Sequence, residues 1–236
     1  MAPEFNRILL KLSGEVLAGE QGHGFDFEVI ESICEAIKQT TEMGVQVGVV
    51  IGGGNFWRGR SSGSMDRNRA DSIGMLGTVM NSIAVADTLI AAGVPAKVYS
   101  AVAMEPIAEI FTAEKVIEDL EKGVVTIFGA GTGNPFFSTD SAGALRAAQI
   151  GADVIFKATN VDGVYDKDPN KFDDAVKFDT LTQSDLLAKG LTVMDASAAS
   201  LCRDNGIDIL VFNLTDPQNI VRAVSGENVG TLCKSK

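Results

Sequence analysis

Short runs of branched apolar residues recur along this chain, and between them the apolar positions switch to a helical spacing. The runs Ile8–Leu12, Val45–Ile51, Ala96–Ser100, Val124–Phe128, Val154–Ala158 and Ile209–Phe212 read as strands. They are apolar nearly without a break, so each is expected to be covered on both faces. Helical spacing falls at about Glu28–Met43, Gly74–Ala92, Thr112–Glu121, Ser141–Ile150 and Ala196–Asn205. Stop signals follow three of these, at Met43-Gly44, Ala92-Gly93 and Lys122-Gly123. Such an alternation predicts an α/β chain: a three-layer α/β/α sandwich with a mainly parallel central sheet. One segment departs from it. Asp162-Gly163, Asp166, Asp168-Pro169-Asn170 and Asp173-Asp174 crowd turn formers, predicting a hairpin excursion around Val164-Tyr165 and Val176-Phe178. No repeat or long linker interrupts the 236 residues, so a single domain is expected.

Charge and residue usage exclude several kinds of chemistry. The net charge of -11 leaves no general basic surface for nucleic acid, although Arg58, Arg60, Arg67 and Arg69 cluster locally. Cys34, Cys202 and Cys233 are scattered, and His23 is the only histidine. That set suits neither a structural zinc site nor Cys-His catalysis, and it fits a reduced, cytoplasmic protein. The first residues lack the charged-then-apolar pattern of a leader, and no apolar run is expected to span a membrane.

The carboxyl ends of parallel strands share one edge of a sheet, and ligands of open α/β sheets bind there. Four strand ends in this chain are chemically rich. They are Lys11-Leu12-Ser13-Gly14, the glycine triplet Gly52-Gly53-Gly54 running into Asn55 and Arg58, the loop GAGTGNPFFSTD from Gly129 to Asp140, and Lys157-Ala158-Thr159-Asn160. Neither common phosphate-loop formula fits them. Gly-Lys never occurs, which removes Walker A, and Asn134 or Trp57 stands where the dinucleotide fingerprint needs its last glycine. The string Gly59–Gly63 matches GxSxG in letters but does not sit on a strand-to-helix turn.

Glycine N–H groups can approach an anion closely, and a tight turn is the other use of such a triplet. Lys11 and Lys157 each end an apolar strand, where a buried ammonium group requires an anion. Converging, they would neutralise charge on a transferring phosphoryl group, unless both reach out to solvent. Asp140 opens a helix, where capping is the simplest role. Asp195 also opens a helix. It can cap, hold the two lysines, or meet a metal through water. Phe136 and Phe137 can wall a base pocket, or one of them can reach into the core.

Taken in order, LLKLSGE, VVIGGGNFWRG, SIGMLGTVMN, GAGTGNPFFSTD, KATNVDGVYDKDP and VMDASAASL resemble the bacterial uridylate kinases, a branch of the amino acid kinase fold family. The resemblance runs from about Arg7 to Gly230 and is weakest at the Arg60–Arg69 loop and at Ser72. It implies an amino acid kinase (acetylglutamate/carbamate kinase-like) fold and phosphoryl transfer from ATP to UMP, with Mg2+ carried mainly by nucleotide phosphates. It assigns Lys11, Leu12, Ser13 and Gly14 to the ATP phosphates, Gly53 to UMP, Gly54 and Arg58 to the ATP side, and Asp71 to the UMP ribose. Thr132, Gly133, Asn134, Pro135, Phe136, Phe137, Ser138 and Thr139 would wrap UMP. Thr159, Asn160, Tyr165 and Asp168 would seat the adenosine. Lys11 and Lys157 would be the charge-neutralising pair, with Asp195 organising them and Asp140 supporting the phosphate site. The N-terminal part would thus serve mainly the acceptor and the C-terminal part mainly ATP. The resemblance further implies a homohexamer with GTP as activator, linked to Gly19–Phe27, and UTP as inhibitor, with no nucleic-acid or membrane partner. An amino acid or carbamate kinase of the same fold, and a nucleotide sensor without turnover, are the competing readings. Asp71 and the Phe136-Phe137 pair favour a nucleoside-bearing acceptor, and the full set of Lys11, Lys157, Asp140 and Asp195 favours turnover.

Overall fold

The computed structural model describes residues 3–58, 63–169, 171–191 and 193–236. Arg60, the rest of positions 59–62 in the GxSxG string, and Asn170 of the turn-rich segment fall outside these ranges. The chain runs β1 (Arg7–Leu12), α1 (Phe27–Glu42), β2 (Gln46–Ile51), α2 (Arg67–Ala91), β3 (Ala96–Ser100) and β4 (Glu109–Ile110). It continues through α3 (Ala113–Glu121), β5 (Val125–Gly129), α4 (Thr139–Ile150), β6 (Val154–Thr159), β7 (Val164–Tyr165) and β8 (Lys177–Phe178). It closes with β9 (Thr180–Thr182), α5 (Gln183–Ala188), α6 (Ala196–Asp204), β10 (Asp208–Asn213), α7 (Gln218–Val224) and β11 (Gly230–Lys234).

One sheet takes nine of the strands in the order β4-β3-β5-β2-β1-β6-β10-β11-β9. Its pairings are parallel from β4 to β10; β11 turns antiparallel to β10 and β9 follows β11. The expected hairpin forms, with β7 antiparallel to β8 outside the main sheet. Strand alternation sends Ile8, Leu10 and Leu12 to one face, where Ile30, Ile33 and Ile37 of α1, Leu89 of α2 and Ile220 of α7 cover them. Leu9 and Ile155 face the other way, against Val116 of α3, Ala144 and Ala147 of α4, and Ala198 of α6. The three layers inferred from unbroken apolar runs are therefore present.

Two features depart from expectation. Helix α2 starts at Arg67, seven residues before the expected Gly74, because Asp66 caps it by accepting from the Arg69 N–H at 3.2 Å. The polar string Arg67-Asn68-Arg69 had concealed its first turn. Among the described residues α2 is also the one helix long and apolar enough to cross a bilayer, contrary to the expectation that no run would be. Its inner face, with Val79, Val85 and Leu89, is buried in the fold, while Ile73, Leu76, Met80, Ile83 and Ile90 are exposed.

Strand β1 is where the topology switches direction: the chain first lays β2, β3, β4 and β5 on one side of it, then β6 and β10 on the other. A crevice opens at the carboxyl end of such a point.

Candidate active site

Lys11 and Lys157 are register neighbours on the parallel strands β1 and β6, so their side chains leave the sheet on the same face. The crossover element between β5 and β6 is α4, whose first turn passes over both. Asp140, in that turn, meets Lys11 through Oδ1 at 2.9 Å and Lys157 through Oδ2 at 2.5 Å. All three side chains are largely buried. Burial alone would raise the Asp140 carboxyl, but the two ammonium groups outweigh it and hold it below the ordinary carboxylate value. For Lys157 burial prevails and pulls the ammonium group below its usual value, against the attraction of Asp140. Two cations sharing one carboxylate leave the cluster with an unmet demand for negative charge.

Of the two carboxylates expected at the lysines, Asp140 is their direct partner, while Asp195 adds attraction at Lys157 from farther off. The carboxylate of Asp195 accepts from the Ser138 hydroxyl, and it makes no capping hydrogen bond to α6 although it precedes that helix. Asp140 is not a cap either. Ser138 caps α4 by accepting from the Ser141 N–H at 3.1 Å. The amino ends of α4 and α6 thus meet here, with the Ser141 and Ser197 hydroxyls 3.2 Å apart, and both present their positive ends.

A cavity of about 360 Å³ opens in front of this cluster. Lys11, Ser13 and Gly14, the glycine triplet with Arg58, Asp71 of α2, and Asp195 all line it. Of the GAGTGNPFFSTD loop, Gly131, Thr132, Asn134, Phe136, Phe137, Ser138 and Thr139 reach it, while Gly133 and Pro135 shape the backbone behind. Lys157 and Asp140 lie behind Lys11 rather than in the wall. Leu12 does not reach the cavity: its side chain is fully buried in the opposite core, and its carbonyl accepts from the Gly52 N–H at 3.0 Å. Neither phenylalanine enters the core, since both are more than half exposed, and Phe136 lies under the Arg67 guanidinium at 5.5 Å.

The glycines serve close approach. A Cβ on Gly14 would stand 2.2 Å from the Gly52 carbonyl oxygen, and one on Gly53 would stand 2.5 Å from that of Gly74 in α2. The loops after β1 and β2 and the helix α2 therefore interlock backbone to backbone. Beneath them Asn55 and Asn81, both buried, exchange amide hydrogen bonds of 2.9 and 2.8 Å. Asn81 also donates to the Gly52 carbonyl at 2.6 Å, and Asn55 to that of Gly24 at 2.9 Å. This pair escaped the reading of the sequence. Its signal was an asparagine at the end of SIGMLGTVMN, on the buried face of α2 beside Thr78 and Ser82.

The loop after β5 is held from α2 as well. Ala130 at φ 61° and Phe136 at φ 71° are non-glycine residues in the left-handed region, at a cost of roughly 1–3 kcal/mol each. The Thr78 hydroxyl accepts from the Ala130 N–H at 2.8 Å, and Asp71 accepts from the Phe136 N–H at 2.9 Å while pairing with Arg67 at 2.7 Å.

The residues expected to seat adenosine lie apart from this cavity, beyond the end of β6. Thr159 ends that strand, its hydroxyl donating to the Val161 carbonyl at 2.8 Å. Asn160 is exposed in the following bend, with its carbonyl accepting from the Asn213 side chain at 3.3 Å. Tyr165 donates to Asp162 at 2.6 Å, and Asp168 pairs with Lys171 at 3.2 Å. Arg58 pairs with Glu15 across the cavity mouth. His23 is exposed on the loop before α1, its ring 5.7 Å from that of Phe56. The three thiols are buried, and burial pushes each up to about 12.

A parallel sheet with a switch point, a lysine pair on one carboxylate and glycine loops without a P-loop define a phosphoryl-transfer class. The model of the amino acid kinase family matches residues 6–213, and the chain belongs to that family. Within it, the fold is similar to the UMP kinase of Bacillus anthracis, with a TM-score of 0.95 and 34% identity over 98% of this chain and 97% of that one. The UMP kinase of Ureaplasma parvum gives 0.92 and 38% over 97% and 98%, and the uridylate kinase of Archaeoglobus fulgidus 0.73 and 30% over 96% and 99%.

Proposed function

We propose that this chain is a UMP kinase that transfers the terminal phosphoryl group of ATP to UMP, giving UDP and ADP. The observation that carries this reading is the Lys11–Asp140–Lys157 cluster behind a cavity walled by two glycine loops. In the transfer, a phosphate oxygen of UMP forms a bond to the terminal phosphorus of ATP as the bond to the ADP oxygen breaks. The attacking oxygen is already ionised at neutral pH, so the step requires alignment and charge neutralisation rather than a general base. Lys11 presents its ammonium group at the cavity wall, and Lys157 adds charge from behind while Asp140 holds both in place.

The acceptor side belongs to the N-terminal part, where Gly53, Asp71 and the loop from Thr132 to Thr139 meet UMP. Ser13, Gly14, Gly54 and Arg58 meet the ATP phosphates, and the turn carrying Thr159, Asn160, Tyr165 and Asp168 takes the adenosine. The donor set suits Mg2+: Asp195 lines the cavity, and the direct carboxylate partner of the lysines is Asp140. Asp195 would therefore meet the ion through water, most of whose ligands are phosphate oxygens. When bound, that ion adds positive charge along the phosphates. The exposed apolar residues of α2 support self-association, which we assign to a homohexamer, cytoplasmic and regulated by GTP as activator and UTP as inhibitor.

Coupled measurement of ADP formation with UMP, CMP, aspartate and acetylglutamate tests the assignment. Turnover is expected with UMP, and none with UMP in the presence of magnesium-ATP refutes it. Lys11→Ala is expected to lower turnover by orders of magnitude with the fold retained, because Asp140 keeps Lys157 as partner. Wild-type turnover in that variant removes Lys11 from the reaction.

A further inference from the structure

Arg146 lies in α4, only 4% exposed, on the face that otherwise buries Ala144, Ala147 and Ile150. Its guanidinium stacks on the Phe111 ring at 4.0 Å. One terminal nitrogen donates to the Gln149 side chain at 2.6 Å and the other to the Gly131 carbonyl at 3.2 Å, while Nε has no partner. No carboxylate pairs with it among the described residues, and burial pulls it down to about 10, which leaves it charged at neutral pH. A buried cation paired only with neutral groups and a ring is a poor source of stability, and an apolar side chain of like volume would pack there at less cost.

What the position does supply is a grip on one carbonyl. Gly131, at φ 57°, follows Ala130 at φ 61°, so two successive left-handed residues turn the chain off β5 into the cavity wall. Thr78 fixes the N–H at the start of this turn, Asp71 fixes the N–H of Phe136 at its far side, and Arg146 fixes the carbonyl between them. The first two clamps come from α2; the third comes from α4, the helix that also carries Asp140. We infer that Arg146 is a positioning residue for the acceptor loop, holding the left-handed turn at Gly131 and so aligning Thr132 and Phe136 with the lysine cluster. The inference rests on the reading that this loop meets the acceptor nucleotide.

Arg146→Met tests it, since methionine fills the space without charge or hydrogen bond. The expected result is a melting temperature equal to or above the wild type, unchanged kcat and ATP KM, and a KM for UMP raised about tenfold, the size of one charge-assisted hydrogen bond. The binding of UMP, followed by the fluorescence of Trp57, the chain's one tryptophan and a residue of the cavity wall, is expected to weaken by the same factor. Arg146→Lys, which keeps a donor, is expected to recover part of the loss. A KM for UMP equal to wild type overturns the inference. A fall in melting temperature with both KM values raised together also overturns it and makes Arg146 a packing residue. Hydrogen exchange at residues 130–136, faster in Arg146→Met than in wild type, decides the clamp separately. It does so even if the wild-type enzyme proves inactive on UMP, an outcome that would sink the functional reading alone.

Discussion

Asp140 is the residue on which the site's electrostatics turn. A carboxyl whose folded-state pKa lies below its unfolded value adds stability above the unfolded value, and loses it as pH falls through the folded one. For Asp140 that loss sets in below about 4. Lys157 makes stability rise with pH as well, but as a cost and in an alkaline window. Its ammonium group is disfavoured by burial, so its cost is relieved as pH rises through the lowered value toward 10.5. Asp140→Asn leaves two buried ammonium groups facing each other, with an expected loss of about 3–5 kcal/mol at neutral pH. Urea denaturation across the acid range should also show a weaker dependence on pH in the variant than in the wild type. Equal stability at neutral pH would mean that the carboxylate does not hold the lysines. Lys11 and Lys157 could be singled out from the sequence because each ends an apolar strand. Which of Asp140 and Asp195 meets them directly could not, since both stand at the start of a helix. Only the packing shows that α4 crosses above β1 and β6 while Asp195 faces Ser138.

At the scale of elements, the six strands were legible because their apolar runs are nearly unbroken, even in β3, which holds Lys97 and is only partly covered. The pieces that escaped, β4, α5, α7, β9 and β11, are two to seven residues long and lie toward the two ends of the sheet or on its surface. Runs so short carry too little periodicity to stand out from turns. Helix α2 was half read. Its apolar part was visible, whereas its polar first turns, which place Arg67 and Asp71 four residues apart over the cavity, were not. That helix is the scaffold of both glycine loops: Gly74 packs on Gly53, Thr78 and Asp71 hold the loop after β5, and Asn81 holds Gly52 and Asn55. Asn81→Leu would leave the Asn55 amide and the Gly52 carbonyl without this partner, at an expected cost of about 1–3 kcal/mol for each group orphaned. Chemical denaturation measures the loss, and a variant as stable as wild type would show that the pair contributes no net stability.

At the scale of the whole molecule, the outer face of α2 stands out among the described residues. Ile73, Leu76, Met80, Ile83 and Ile90 of α2 are exposed at helical spacing, and Ile107 stands beside that stripe across a shallow depression. Asp87 interrupts the stripe, yet soluble monomers rarely expose so much apolar surface along one helix. The proposed homohexamer would cover it, with α2 of one subunit against a second copy. Light scattering coupled to gel filtration should then give a mass well above the 24.8 kDa of one chain, and Ile83→Asp should lower it. A wild-type chain running at the monomer mass, or an Ile83→Asp variant of unchanged size, removes α2 from the assembly.

The register pairing of Lys11 with Lys157 has a temporal side. These neighbours are separated by 146 positions (157 − 11), and the pairing of the strands that carry them joins the two halves of the sheet. Loop closure over such a span is slow, and it comes after local helices and hairpins have formed. A partly folded chain can therefore hold most of its secondary structure with its charge cluster still in two pieces. During refolding, helical signal should return before phosphoryl transfer, and catalytic competence marks the moment the two halves become one sheet.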